Sequence, residues 1–193
     1  MKGHVSMASA TSDIARLEQN ARQEQTKLNR VRWAKVLADS DLAKLPYRVE
    51  TNGMGQIIMT PPASGGHSNS QGEIAFRIRQ MLGGRTLPEC PVSTADGVKV
   101  ADVGWYSEER FAVVREQQAF EIAPEICVEV LSPSNTTEEM AAKRHLYFEA
   151  GAEEVWLCDL ESTMQFFIAQ QPDFRISKSK LCPQFPLKIS EEA

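Results

Sequence analysis

Glu129 stands inside Ile126-Cys-Val-Glu-Val-Leu131, a run otherwise apolar. Strand alternation puts Cys127, Glu129 and Leu131 on one face and Ile126, Val128 and Val130 on the other. An ionised carboxylate buried there without a partner is costly. It calls for a cation, a metal or a raised pKa, unless it sits at the strand end and reaches water. Asp102, in Val98-Lys-Val-Ala-Asp-Val-Gly-Trp105, shares a face with Val98 and Val100. Pairing with Lys99 or an arginine is its plain account. Beside Glu129 it gains another, because two carboxylates from neighbouring strands repel and are usually brought together to bind a hard cation through oxygen. Lys143 supplies an opposite charge. At helical spacing it shares a face with Met140, Tyr147 and Ala150, and a lysine bordering a buried stripe either snorkels to water or meets buried anions.

These residues need elements to carry them. Residues 12–38 contain no Gly or Pro and read as a helix with Ser12 as a possible cap, preceded by eleven small and polar residues expected to lack order. Ile14, Leu17, Ala21, Leu28, Val31 and Ala38 form a broken heptad, suited to docking on the body or on a second subunit. Tyr47–Thr51 and Gln56–Thr60 flank Asn52-Gly-Met-Gly55 and predict a hairpin. A second helix is expected from about Ser68 to Leu82, ended by Gly83-Gly84. His67 heads it and could cap it, bind phosphate or do nothing. Glu73 falls in its first turns, where a carboxylate suits the helix dipole.

Two strands follow, Thr86–Thr94 and Val98–Tyr106, around the Ala95-Asp96-Gly97 turn. Residues 107–124 read as a polar connection, and 126–131 as a central strand buried on both faces. Thr136 and Glu139 form a capping box for a helix of about 136–150, with Gly151 at its end. Strands at 154–159 and 164–168 complete the pattern, and the proline-containing tail is expected to be irregular. Because the helix after residue 131 passes over that strand's end, Lys143 is placed within reach of Glu129. A helix crossover between 126–131 and 154–159 implies parallel strands and hence a mixed α/β layer.

Composition narrows the function classes. The 193 residues are 42% hydrophobic and 24% charged, which suits a folded core. No apolar run is long enough for a membrane helix, and the first twenty residues lack the apolar stretch of a secretory signal. The four cysteines are too widely spaced for a zinc site or a disulfide framework, so reduced thiols in a cytoplasmic protein are expected. The net charge is −5, which counts mildly against nucleic acid. Residues 16–35 nevertheless hold six basic and two acidic side chains, either a solvated helix face or an arm for a polyanion. The sequence lacks GxxxxGK[ST], GxGxxG and GxSxG, so triphosphate, dinucleotide and α/β-hydrolase chemistry have no support.

Ala101-Asp-Val-Gly-Trp, then Ala123-Pro-Glu-Ile-Cys-Val-Glu-Val-Leu-Ser-Pro-Ser134, then Lys143, Tyr147 and Gly151, then Glu154-Val-Trp-Leu-Cys-Asp159 resemble the Uma-type family of putative restriction endonucleases. The hairpin with Glu50, Gly53 and Ile57-Ile-Met-Thr-Pro61, followed by Ser64 and His67, resembles it too. The likeness spans about residues 46–170. It implies a restriction endonuclease-like PD-(D/E)-X-K domain over residues 46–193, a mixed sheet between helices; residues 1–45 lie outside the likeness and read as a helical arm. It also implies that Asp102 and Glu129 hold Mg²⁺ or Mn²⁺, with the Val130 carbonyl as a further ligand. Leu131 stands where the motif lysine would be, and Lys143 matches the position to which such families move it. Ala101 replaces the motif proline. The expected activity is metal-dependent hydrolysis of DNA, with Asp102, Glu129 and Lys143 catalytic, His67, Glu73 and Tyr147 as neighbours, and a homodimer or higher homo-oligomer as the assembly. The alternative is a nuclease-fold protein without catalysis, serving as a binding or assembly module.

Overall fold

A computed structural model describes residues 7–189. Helix α1 (Met7–Ala38) begins upstream of Ser12, which therefore lies inside the helix rather than at its cap. The expectation of disorder for residues 1–11 falls in part on residues 1–6, outside the described residues, and fails from Met7 onward. Strands β1 (Arg48–Thr51) and β2 (Ile57–Thr60) form the expected antiparallel hairpin. Helix α2 (Gly65–Leu82) starts three residues early because Ser64, not a later serine, caps it by accepting from the His67 N–H. Glu73 is thereby in the third turn, too far along to feel the dipole as expected.

Strands β3 (Arg85–Thr94), β4 (Gly97–Tyr106), β5 (Ile126–Val130), β6 (Glu154–Cys158), β7 (Met164–Ile168) and β8 (Gln171–Ile176) form one sheet in sequence order. Every pairing is antiparallel except β5 with β6, which α4 (Thr137–Glu149) joins by a crossover. The α/β architecture with a mixed central sheet is thus as expected. Two elements were not. The stretch read as a polar connection contains helix α3 (Glu108–Val114), capped by Ser107. The tail read as irregular contains β8, a mostly exposed edge strand that tolerates Pro172 because an edge residue need not donate to a ladder.

Helix α2 covers one face of the sheet, with Ile74 and Ile78 against Val103, Ile126, Val128, Trp156 and Phe166. On the other face Tyr147 of α4 packs with Cys127, Val155 and Tyr106. The four cysteines are free and buried in these layers. Helix α1 docks through Trp33, packed on Val98 and Val100, and through Asn29, whose Nδ2 donates to Ser93 Oγ at 2.8 Å and the Thr94 carbonyl at 2.9 Å. Its first half, from Asp13 to Glu24, is exposed. No helix among the described residues is long and apolar enough to cross a membrane.

The hairpin is tied to the turn between β3 and β4. Gly97 has φ +83, and a Cβ there would run into the Thr51 carbonyl and the Asn52 backbone. Val98 N–H donates to Thr51 Oγ1, Lys99 Nζ to the Thr51 carbonyl, and Gly53 N–H to Asp96 Oδ1. These contacts hold Arg48 and Glu50, two apart and so on one face of β1, over the sheet.

Candidate active site

The β4–β5 ladder runs through Trp105↔Ile126, Gly104↔Cys127 and Val103↔Val128 and then stops. One step further, where the two strands part, stand Asp102, midway along β4, and Glu129, one residue before the end of β5. The Val130 N–H, beyond the end of the β4–β5 ladder, donates to Asp102 Oδ2 at 2.7 Å. The sheet itself therefore fixes one oxygen of Asp102.

Asp102 is 1% exposed. Burial alone would raise its pKa, but contact with His67, the Arg48 charge and the Val130 N–H together hold it below the usual carboxylate range. Arg48 Nη1 donates to Asp102 Oδ1 at 2.7 Å, while its Nε lies 2.6 Å from Glu89 Oε2. His67 Nε2 is 3.1 Å from the same Oδ1 but makes no well-aligned hydrogen bond although it is buried. The contact is therefore one of proximity, an ion pair whenever the imidazole is protonated. It raises the His67 pKa, against burial and the Arg48 charge. Lys99, an alternative partner for Asp102, pairs instead with Asp96.

Glu129 is reached from α4. Thr136 Oγ1 accepts from the Glu139 N–H and starts that helix directly after β5, so its second and third turns cross the strand end. Lys143 Nζ stands 3.0 Å from Glu129 Oε1 and 2.9 Å from Glu50 Oε1, and donates to the Val100 carbonyl. Tyr147, one turn on, donates its hydroxyl to Glu129 Oε1 at 2.6 Å. Glu50 also accepts from the Val100 N–H at 2.8 Å. Burial would lower the Lys143 pKa, but Glu129 and Glu50 raise it, so the ammonium persists. Glu129 goes the other way. Burial, with Asp102 and Glu50 nearby, lifts its pKa to about 7 despite Lys143 and Tyr147.

The structure thus brings Asp102, Glu129, Lys143 and His67 to one cleft of about 1120 Å³, with Tyr147 buried behind Glu129. Val130 enters this network through its N–H. Glu73 lines the cleft but pairs with Arg77 at 2.6 Å and touches neither carboxylate. His145 lies apart, near Asp173. No motif in the sequence marks a role for Arg48 or Glu89, and Glu50 stands out only within the resemblance. The i, i+2 spacing of Arg48 and Glu50 was an available signal. Glu89 had none, since its side chain is aimed by a left-handed backbone, φ 50.

Among the described residues, no three His, Cys, Asp or Glu side chains already converge as a metal cluster. The donors nevertheless suit a hard divalent cation. They are carboxylate oxygens, and the cations now beside them are side chains on rotatable stems. The buried His67 Nε2 without an aligned partner marks a place where a further group fits.

Residues 39–178 match the family Uma2, described as "Putative restriction endonuclease". Curated proteins give no match. Among solved structures, the fold resembles a crystal structure described as a putative nuclease belonging to DUF820 from Anabaena variabilis. The two share 24% identity and a TM-score of 0.60 over 76% of this chain and 91% of that one. At that identity the likeness concerns the fold.

Proposed function

Since the chain belongs to the Uma2 family of putative restriction endonucleases, we propose that it hydrolyses DNA phosphodiester bonds with Mg²⁺ or Mn²⁺ held by Asp102 and Glu129. The observation that supports this most is the meeting of Asp102, Glu129 and Lys143 in one cleft, from three elements. The Val130 carbonyl, next to Glu129 in the chain, is a further candidate ligand. Such an ion, when bound, polarises the phosphate and lowers the pKa of an attacking water.

The protein's own groups do the rest. Val130 N–H holds Asp102 by Oδ2 and leaves Oδ1 toward the cleft. Tyr147 holds Glu129 from the helix side. Lys143 stays an ammonium and is aimed by Glu50 and the Val100 carbonyl. From there it orients the attacking water or neutralises charge growing on the phosphorus oxygens. Burial of these groups keeps bulk water from screening that charge.

The second reading is a nuclease-fold binding module without catalysis. The ion pair of Arg48 on Asp102 favours it, because it occupies a carboxylate that catalysis needs. Cleavage of plasmid and oligonucleotide DNA with Mg²⁺ and with Mn²⁺ separates the two. Cutting by the wild type that Asp102→Asn and Glu129→Gln abolish is the expected result. No cutting of any DNA with either ion sinks the nuclease reading.

A further inference from the structure

The Val130 N–H takes one lone pair of Asp102 Oδ2, and both side-chain cations sit on the other oxygen, Oδ1. A carboxylate oxygen offers about two lone-pair positions. On Oδ1 one is filled by Arg48 Nη1 at 2.7 Å, and His67 Nε2 approaches the other at 3.1 Å. A cation that binds Oδ1 must displace one of them, and Arg48, always charged, repels the cation from either position until it leaves.

Arg48 also has somewhere to stay. Its Nε is 2.6 Å from Glu89 Oε2, and Glu89 is 44% exposed, so this anchor lies toward the rim. Glu89 keeps a non-glycine residue at φ 50, an uncommon conformation, and its other oxygen accepts from Gln71 Nε2 at 3.1 Å. The anchor is thus braced independently of the Asp102 carboxylate, since Gln71 Nε2 touches that residue only at its main-chain carbonyl.

We propose that Arg48 is an internal counter-ion standing in the cation's place on Asp102. On cation binding it pivots about Glu89 into the cleft and takes a DNA phosphate oxygen. This rests on the nuclease reading above. The guanidinium fork matches phosphate geometry, and Arg48 already lines the cleft with Lys143. One side chain thereby neutralises Asp102 before the cation arrives and then serves the substrate.

The consequence is a pair of effects with opposite signs. Arg48→Met keeps much of the stem and removes the charge. Mn²⁺ should bind it at least about tenfold more tightly by calorimetry, because a charge-assisted competitor is gone. Fluorescein-labelled DNA, in non-catalytic Ca²⁺, should bind at least about tenfold more weakly by anisotropy. A purely structural role would weaken both. Unchanged or weaker Mn²⁺ binding, or unchanged DNA binding, overturns the proposal. Arg77→Met removes the same charge from α2 without touching Asp102, and an equal gain in Mn²⁺ affinity there would also overturn it. Should Arg48→Met fail to fold, NMR of the wild-type Arg48 guanidinium during Mg²⁺ titration replaces it. Rotation slowed by the double anchor should quicken as Mg²⁺ binds, and unchanged rotation at saturation overturns the proposal. A wild type that binds no divalent cation removes this proposal and the nuclease reading together. A wild type that binds Mn²⁺, with no tightening in Arg48→Met, removes only this one.

Discussion

Glu129 is the carboxylate whose charge the folded protein tolerates least. Its pKa of about 7, against an ordinary value near 4.5, means that folding is penalised as it ionises. The penalty is absent at low pH, grows between about 4.5 and 7, and stays constant above, at about 3 kcal/mol. Lys143 does not change the slope there, because its raised pKa keeps it charged throughout. His67, with its pKa raised, loses its contribution as pH climbs past its folded value, in the same direction. In chelator-treated protein, Glu129→Gln should therefore flatten much of the fall in urea-unfolding stability from pH 5 to 8, and it should abolish Mn²⁺ binding. An unchanged pH profile would show that burial does not raise Glu129 in this way.

Lys143→Met should slow cleavage at least about a hundredfold, as loss of one charge contact in a dry site does. It should also destabilise the metal-free protein by about 3 kcal/mol, because buried Glu129 and partly buried Glu50 lose their cation. Protonation of Glu129 limits that loss, so the deficit should shrink below pH 6. Unfolding curves at two pH values check this alongside the cleavage rate. The meeting of Lys143 with Glu129 was legible in the sequence, since strand alternation and helical spacing fix where each side chain points. Arg48 and Glu89 were not, because an ion pair 41 residues apart leaves no local pattern.

At the scale of elements, the strands and helices carrying the site were legible because each has its own periodicity and glycine punctuation. Helix α3 was missed because its Ser107 cap precedes only seven helical residues, too few for a stripe to show. Strand β8 was missed because an exposed edge strand has no buried alternation to read. The hairpin's position depends on the glycine turn beneath it. Gly97→Ala should cost about 1–3 kcal/mol through its left-handed φ and the clash with Thr51. It should also lift Arg48 and Glu50 off the sheet, so cleavage should fall more than stability alone explains. Melting curves and cleavage rates on one preparation compare the two. Helix α1 leaves Ile14, Leu17, Leu28 and Val31 between 48 and 67% exposed. If this stripe joins subunits, removing residues 1–24, before the docked Asn29 and Trp33, should lower the solution mass to that of one chain and leave the melting temperature of the body nearly unchanged. Light scattering measures the mass, and an unchanged oligomer discards Ile14 and Leu17 as the contact.

The whole molecule carries a net charge of −5, so DNA meets a surface that repels it on average. Binding then depends on the cleft's cations and on the divalent ion. DNA affinity in Ca²⁺ should exceed that in chelator by at least about tenfold at moderate salt. Equal affinities would assign binding to another surface, the basic stretch of α1 being the first to examine. The depth of the sulfur atoms has a practical use in following such events. Burial pushes the Cys158 thiol up to about 11 and raises those of Cys90, Cys127 and Cys182, so near neutrality hardly any nucleophilic thiolate exists. Met54, at the hairpin tip, is 73% exposed. A cysteine placed there would be the one quickly alkylated position among the described residues, and a fluorophore or spin label on it would watch the hairpin against a silent background.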